Sequence, residues 1–268
     1  WIWLGDNIYA DTEDMEAMRQ MYLQQKFNPD YAAFRDKTPV FGIWDDHDYG
    51  VNDGGKEFEP KGASRDLMLD FLDVPTDAAV RQRAGGYQSY TFGPEGKQVK
   101  LILLDGRYFR DALKENPDKT TRYLKNETGD ILGEAQWDWL AAELDSSNAN
   151  IHLIACGIQM LAEEQVFEKW ANFPAARQRL LDLLAEKRPG NTLLLSGDRH
   201  ISELATLEIP GWENMLYEVT SSGLTHAYEG VGEEPNQYRL GPLVKQKSFA
   251  LLKIDWSAPQ PALNIVFK

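Results

Sequence analysis

An α/β fold, with sheets covered by helices, is predicted by three observations. Short apolar runs rich in β-formers recur along the chain, helical stretches alternate with them, and four of the runs stop on polar clusters. The first run, "WIWLG" (1–5), ends on Gly as a buried strand does. In "DMEAMRQMYLQQ" (14–25), Met15, Met18 and Tyr22 fall on one helical stripe with Leu23 beside them. "TPVFGIWDD" (38–46) reads as a second strand, with Pro39 at its mouth, where a missing N–H does least harm. Segment 48–65, rich in Gly, Asp and Glu, is expected to be a long surface loop. "VKLILLDGR" (99–107) gives a third strand. "GEAQWDWLAAELDSS" (133–147) places Trp137, Leu140, Ala141 and Leu144 at i, i+3, i+4 and i+7, the spacing of a core-facing helix. "NIHLIACGIQ" (150–159) is a fourth strand, in which His152 reads as structural and Cys156 as an inert buried thiol. "PAARQRLLDLLAEKRPG" (174–190) starts with Pro in a first turn and stops at Pro-Gly. "NTLLLSGDRH" (191–200) is a fifth strand, 227–240 a second expected loop, and "KSFALLKIDW" and "ALNIVFK" two closing strands joined by "SAPQP".

With 268 residues and 43% hydrophobic content, the chain can bury a large core. It shows no Pro/Gly/Ser linker, repeat or low-complexity tract, so a single domain over 1–268 is expected. The formal charge of −14 opposes non-specific binding to nucleic acid or to anionic membrane. It also demands a local reversal of sign if the substrate is an anion. No apolar run approaches the ~18–20 residues of a membrane helix. One cysteine excludes an internal disulfide and a Cys-rich zinc site, and is compatible with a reducing compartment or with export. The chain opens on Trp1, so the absence of a signal peptide is uninformative.

The four clusters at strand ends are "WLGDNIYAD", "WDDHDYGVND", "LLDGRYFRD" and "LLLSGDRH". In α/β folds, ligands bind beyond the carboxyl ends of strands, where distant loops converge. That places Asp6, Tyr9, Asp46, His47, Arg107, Asp198 and His200 in one candidate site. Carboxylates a few Å apart ionise together cheaply only with a cation among them. Bound Fe, Zn, Ca or Mn would supply it and reverse the local field. Carboxylate, imidazole and phenol donors favour harder ions such as Fe(III), Mn or Ca. Two ions about 3.5–4 Å apart need a bridging carboxylate, for which Asp6 in its strand-end turn is well suited. Asn52 and Asp53 read equally as turn residues or as ligands.

With these motifs the chain resembles the PhoD-like alkaline phosphatases, a branch of the calcineurin-like metallophosphoesterases. "GDNIYAD" (5–11) matches G-D-x-x-Y-x-D, "WDDHDYGVND" (44–53) matches W-D-D-H-[DE], and "SGDRH" (196–200) matches S-G-D-x-H. "LLDGRYFRD", "IACGIQ" and "VTSSGLTH" are similar to further family segments, so the resemblance spans almost the whole chain. It implies a four-layer sandwich of two mixed β-sheets flanked by helices, with the metal site at one sheet edge. It implies two or more metal ions, Fe(III) with Ca first, Mn or Zn as alternatives. The activity it implies is hydrolysis of phosphomonoesters or phosphodiesters of small molecules, in the periplasm or secreted.

By position, the resemblance makes Asp6 the bridge and Tyr9 a phenolate donor to Fe(III). Asp46 stands where the wider superfamily has the Asn of G-N-H-[DE], and becomes a ligand. His47 becomes the proton donor or transition-state stabiliser, with Asp45 as its orienter, and Asp198 and His200 bind one metal each. Arg107 and Arg110 are expected to face the phosphate, Arg107 foremost. His226 divides between an outer active-site role and loop packing. The resemblance also implies a first strand and a metal motif upstream of Trp1, which this sequence lacks. A truncated or degenerate member that binds metal and phosphate without turnover is therefore the alternative, and a Ca-stabilised interaction domain a further one.

Overall fold

The computed structural model describes every residue except 213, 231, 233 and 259. In chain order the elements are β1 (Ile2–Leu4), α1 (Met15–Lys26), α2 (Pro29–Arg35), β2 (Phe41–Ile43), α3 (Asp46–Tyr49) and α4 (Lys61–Phe71). There follow β3 (Gln88–Phe92), β4 (Val99–Leu103), β5 (Lys114–Glu115), β6 (Tyr123–Leu124), α5 (Gly133–Asp145) and β7 (Ile151–Cys156). The chain closes with α6 (Pro174–Lys187), β8 (Asn191–Ser196), β9 (Ser202–Glu208), β10 (Met215–Ser221), β11 (Ala250–Asp255) and β12 (Ala262–Phe267).

Six strands form one mixed sheet in the order β3-β4-β7-β8-β10-β9, in which β4, β7, β8 and β10 run parallel. The pleat sends alternate residues to opposite faces. Ile102, Ile154, Cys156, Leu194 and Leu216 pack with Trp137 and Leu140 of α5 and with Leu180 and Leu184 of α6. Their neighbours Leu101, Leu103, Leu153, Leu193, Leu195 and Val219 pack on the other side. There they meet Ile43, Met18, Tyr22, Leu67 and Met68, with β1, β11 and β12 supplying partly buried Trp3, Leu252 and Ile265. The parallel pair β1-β2 and the antiparallel pair β11-β12 thus face the large sheet, with α1 and α4 beyond them. Helix, sheet, sheet and helix make the expected four layers. A cleft of about 700 Å³ separates β1 from β11 and reaches Asp6 and Asp198.

The helical stripes match the observed elements. Met18 and Tyr22 are the buried residues of α1, and Trp137, Leu140 and Leu144 are among those of α5. Segment 48–65 is a loop only over 50–60, where Asn52, Lys56, Glu57 and Glu59 are exposed but the loop is anchored inward. Tyr49 and Phe58 are buried and in ring contact, the Tyr49 hydroxyl donates to Gly55 O at 2.8 Å, and α4 begins at Lys61. The apolar rings draw this acidic stretch inward. Segment 227–240 carries no helix or strand among its described residues; 231 and 233 lie outside them.

His152 is buried on the α5 side of β7, where Nε2 meets Ser147 Oγ at 2.8 Å. Burial, with the Lys100 ammonium adding, depresses its pKa to about 4. Between the unfolded value of ~6.5 and 4, the unfolded chain binds a proton that the fold refuses, so stability falls as the pH drops through that window. The loss is up to about 3 kcal/mol. His152→Gln, which cannot titrate, is expected to flatten this fall; urea midpoints at pH 7 and pH 4.5 measure it, and an unaltered slope would refute the assignment.

Candidate metal centre

The candidate residues sit where parallel strands end. Gly5 and Asp6 follow β1, Asp45–His47 follow β2 and open α3, and Gly197–His200 follow β8. At the first of these turns Asp6 has φ +52°, a left-handed conformation that Asp adopts more readily than most residues. Gly5 before it has φ +98°, and a Cβ there would lie 2.3 Å from that of Asp45, so only Gly lets the two turns meet. Buried Asp48 fastens them together. Its Oδ1 accepts from the backbone N–H groups of Asp6 (3.1 Å) and Asp45 (2.8 Å), and its Oδ2 from Asn7 Nδ2 (2.6 Å) and the Tyr22 hydroxyl (3.2 Å).

Four carboxylates converge on this junction. Donor atoms of Asp6, Asp46 and His47 lie within 4.8 Å of one another, and so do those of Asp45, Asp46 and Asp198; Asp46 belongs to both groups. Asp6 Oδ1 and Asp45 Oδ2 are buried with no hydrogen-bond partner among the described residues. Burial pushes the pKa of Asp6, Asp45 and Asp198 up, and repulsion from Asp46 adds in each case. Asp46 alone moves down. Burial opposes its charge, but Arg107, His47 and the N–H groups of Asp53 and His47 outweigh it. Orphaned oxygens and mutually destabilised acids are what a multivalent cation resolves, so the donor set fits metal binding.

A wall of rings flanks the acids. The Tyr9 hydroxyl donates to Asp6 Oδ2 at 3.2 Å and lies 2.8 Å from His200 Nε2, which is itself 3.8 Å from Asp6 Oδ2. Burial, then the Asp6 charge, pushes the Tyr9 phenol far up, so only a strong Lewis acid would release its proton. The Tyr9 ring packs against His47 at 4.5 Å and His226 at 4.4 Å, and His226 lies 5.6 Å from the His200 ring. His226 therefore lies beside the other rings of the candidate site. His47 Nδ1 contacts both oxygens of Asp11, at 2.7 and 2.9 Å. Asp11, not Asp45, is the orienter of His47.

The arginines of "GRYFRD" are placed differently from expectation. Arg107 and Arg110 are fully buried. Arg107 Nε donates to Asp45 Oδ1 at 2.7 Å and Nη1 to Glu168 Oε2 at 2.6 Å, while Nη2 is 3.9 Å from Asp46 Oδ1. Arg110 pairs with the other Glu168 oxygen at 2.9 Å. Neither faces an incoming phosphate. A guanidinium at a strand end can point out or in, and the interior acids Asp45 and Glu168 draw both inward.

The family model of the PhoD-like phosphatases matches residues 1–247, nearly the whole chain. The chain belongs to the PhoD-like phosphatase family. Alkaline phosphatase D of Bacillus subtilis (strain 168) is 25% identical over 246 residues, which cover 80% of this chain and 39% of that protein. A solved structure of PhoD superposes with a TM-score of 0.72 at 18% identity, covering 99% of this chain and 62% of the other. This PhoD-like chain thus spans well under two thirds of the curated relative's length.

Sequence reasoning assigned no role to Asp11, Asp48 or Glu168. Asp11 and Asp48 lie inside quoted motifs, and that position was the available signal. Glu168 lies in "AEEQVFEKW", where nothing marks one acid above its neighbours, and its partner Arg107 is 61 positions away.

Arg107→Met should leave Asp45 and Glu168 buried without their main counter-charge and destabilise the fold by roughly 3–5 kcal/mol. Denaturant titration measures this. A variant of full stability that only binds substrate more weakly would return Arg107 to the substrate-facing role.

Proposed function

We propose that this chain is a metal-dependent phosphoesterase that hydrolyses phosphomonoesters or phosphodiesters of small molecules. The observation that supports it most is the convergence of Asp6, Asp45, Asp46 and Asp198, two with orphaned buried oxygens, beside a histidine oriented by its own carboxylate. Asp6, Tyr9, Asp46, Asp198 and His200 would hold the ions, with Asp45 close by. Oxygen and imidazole donors suit Fe(III) with Ca, and Mn or Zn as substitutes. When bound, the ions offset the repulsion among the acids, polarise phosphoryl oxygens and make water acidic enough to react near neutral pH.

The chain's own residues supply the rest. Asp11 accepts from Nδ1–H of His47, which fixes the tautomer and leaves Nε2 for the site. Burial lowers the His47 pKa, but Asp46, Asp6 and Asp11 together outweigh it and hold it above the ordinary value. With Nδ1–H held by Asp11, a protonated His47 would present Nε2–H to the departing ester oxygen. Tyr9 lies between His47 and His226, its ring tilted against both. The histidine wall and the bound cations give a −14 chain a local attraction for an anion.

The test is hydrolysis of p-nitrophenyl phosphate and its bis-ester with Ca, Mn, Zn or Fe added. Turnover with at least one ion is expected; tight metal binding without hydrolysis of either ester would favour the non-catalytic alternative. His47→Ala is expected to lower kcat by ~10²–10⁴ with circular dichroism and metal content unchanged. Asp11→Asn, acting only through His47, is expected to cost ~10–100-fold. Equal activity of wild type and His47→Ala would remove His47 from the reaction. Chelation should lower Tm, since the acids lose their compensation, and re-addition of metal should restore it; a Tm insensitive to both treatments would count against a metal among these acids.

A further inference from the structure

With Arg107 and Arg110 sequestered, the phosphate needs another cationic partner. Arg107 Nη2 lies 3.9 Å from Asp46 and Arg199 Nη1 4.0 Å from Asp198, and Arg122 reaches Asp46 through Asp53. The Arg107 and Arg199 side chains are only 0% and 3% exposed, whereas that of Arg122 is 47% exposed. Arg122 stands just before β6, on the hairpin of β5 and β6, and lines a cavity of about 470 Å³ with Glu115, Asn116, Lys119 and Tyr123, separate from the cleft that reaches Asp6 and Asp198. Its backbone is fixed on both sides: the N–H donates to Val166 O at 2.9 Å and the carbonyl accepts from Asn116 N at 3.1 Å.

The link to the acids runs through Asp53. Arg122 Nη2 lies 3.0 Å from Asp53 Oδ2, which also accepts from the Tyr123 hydroxyl and, at 2.8 Å, from Asn52 Nδ2. The backbone N–H of Asp53 in turn donates to Asp46 Oδ2 at 2.7 Å. Asp53 thus links an exposed guanidinium to the acid common to both donor groups, by an ion pair from its side chain and a hydrogen bond from its backbone. Among the described residues the guanidinium meets Asp53 and, at 5.6 Å, the Tyr123 ring, which leaves N–H donors for the oxygens of a phosphate.

We infer that Arg122, linked to Asp46 through Asp53, is the side chain that binds the non-bridging oxygens of the substrate phosphate. The assignment rests on the phosphoesterase reading and deepens it. Asp53 becomes a positioning residue, joining the phosphate anchor to Asp46 so that anchor and acids keep a fixed spacing. Tyr123 and Asn52 share the load on Asp53, so Arg122 can turn towards an anion without leaving that carboxylate unpaired.

The experiment compares wild type with Arg122→Ala and Arg122→Lys. In Arg122→Ala, KM for p-nitrophenyl phosphate and Ki for inorganic phosphate should rise together by ~10–100-fold, the loss expected for a charge-assisted hydrogen bond, while kcat changes by less than about tenfold. Arg122→Lys, which keeps the charge but not the fork, should recover part of both constants. Tm and metal content should match wild type in each variant. Unchanged KM and Ki in Arg122→Ala, or a loss that tracks a fall in Tm or in bound metal, would overturn the assignment and reduce Arg122 to a structural partner of Asp53. If wild type hydrolyses neither ester, the phosphoesterase reading fails by itself. Calorimetric titration of the metal-loaded wild type and Arg122→Ala with inorganic phosphate then still decides whether Arg122 is an anion anchor.

Discussion

Four carboxylates gather at one corner of the fold where water is largely excluded, and the cost of holding them together organises much of what surrounds them. Burial and mutual repulsion drive Asp6, Asp45 and Asp198 towards their neutral forms. Only Asp46 keeps its charge readily, because Arg107, His47 and two backbone N–H groups favour the anion. Arg107 offsets part of the repulsion from behind, and Glu168 balances Arg107 and Arg110 one layer further in. The internal charges alternate outward from a buried acid to the site. Such an arrangement makes chemical sense when multivalent cations complete it on the open side.

The sheets supply the stiffness that this arrangement needs. Because β4, β7 and β8 run parallel and bury both faces, their ends form a rigid shelf facing the ends of β1 and β2. The approach at the shelf is close: a Cβ on Gly157, just after β7, would lie 2.4 Å from Asp45 Oδ1. Asp48 then ties the β1 turn to α3 through hydrogen bonds from Asp6 N and Asn7 Nδ2, 42 and 41 positions away in sequence, and takes two more from Tyr22 and Asp45. A support of this kind favours fixed placement of the donor side chains it carries.

Much of this was legible because apolar periodicity and strand-end motifs are local signals. Met18 and Tyr22, or Trp137 and Leu140, declare their faces within one or two helical turns. The strand-end acids and histidines gathered as expected because α/β topology brings such ends together whatever the sequence between them. Direction was not legible. "GRYFRD" follows an apolar strand as the acidic motifs do, and only the distant Glu168 tells whether its guanidiniums turn in or out. Strands β9 and β10 were missed for a related reason. They carry Glu203 and Glu218 into the interior, where Arg239 and the N–H groups of Met160 and Leu161 satisfy them, so the apolar alternation is broken by charges whose partners lie far away. Tyr49 and Phe58 were likewise hidden in a stretch whose composition reads as solvated.

Asp6, Asp198 and His200 all adopt left-handed backbone, with φ between +52° and +65°, although none is glycine. Such conformations cost a non-glycine residue free energy, least for the short polar side chains that bond locally. The corner is thus tuned twice, once by what these side chains donate and once by how their backbones tolerate an unusual twist. An alanine there changes both at once, whereas an asparagine changes the charge and largely preserves the twist. Few residue types meet both demands: most that supply a donor resist the twist, and glycine, which accepts the twist, supplies no donor.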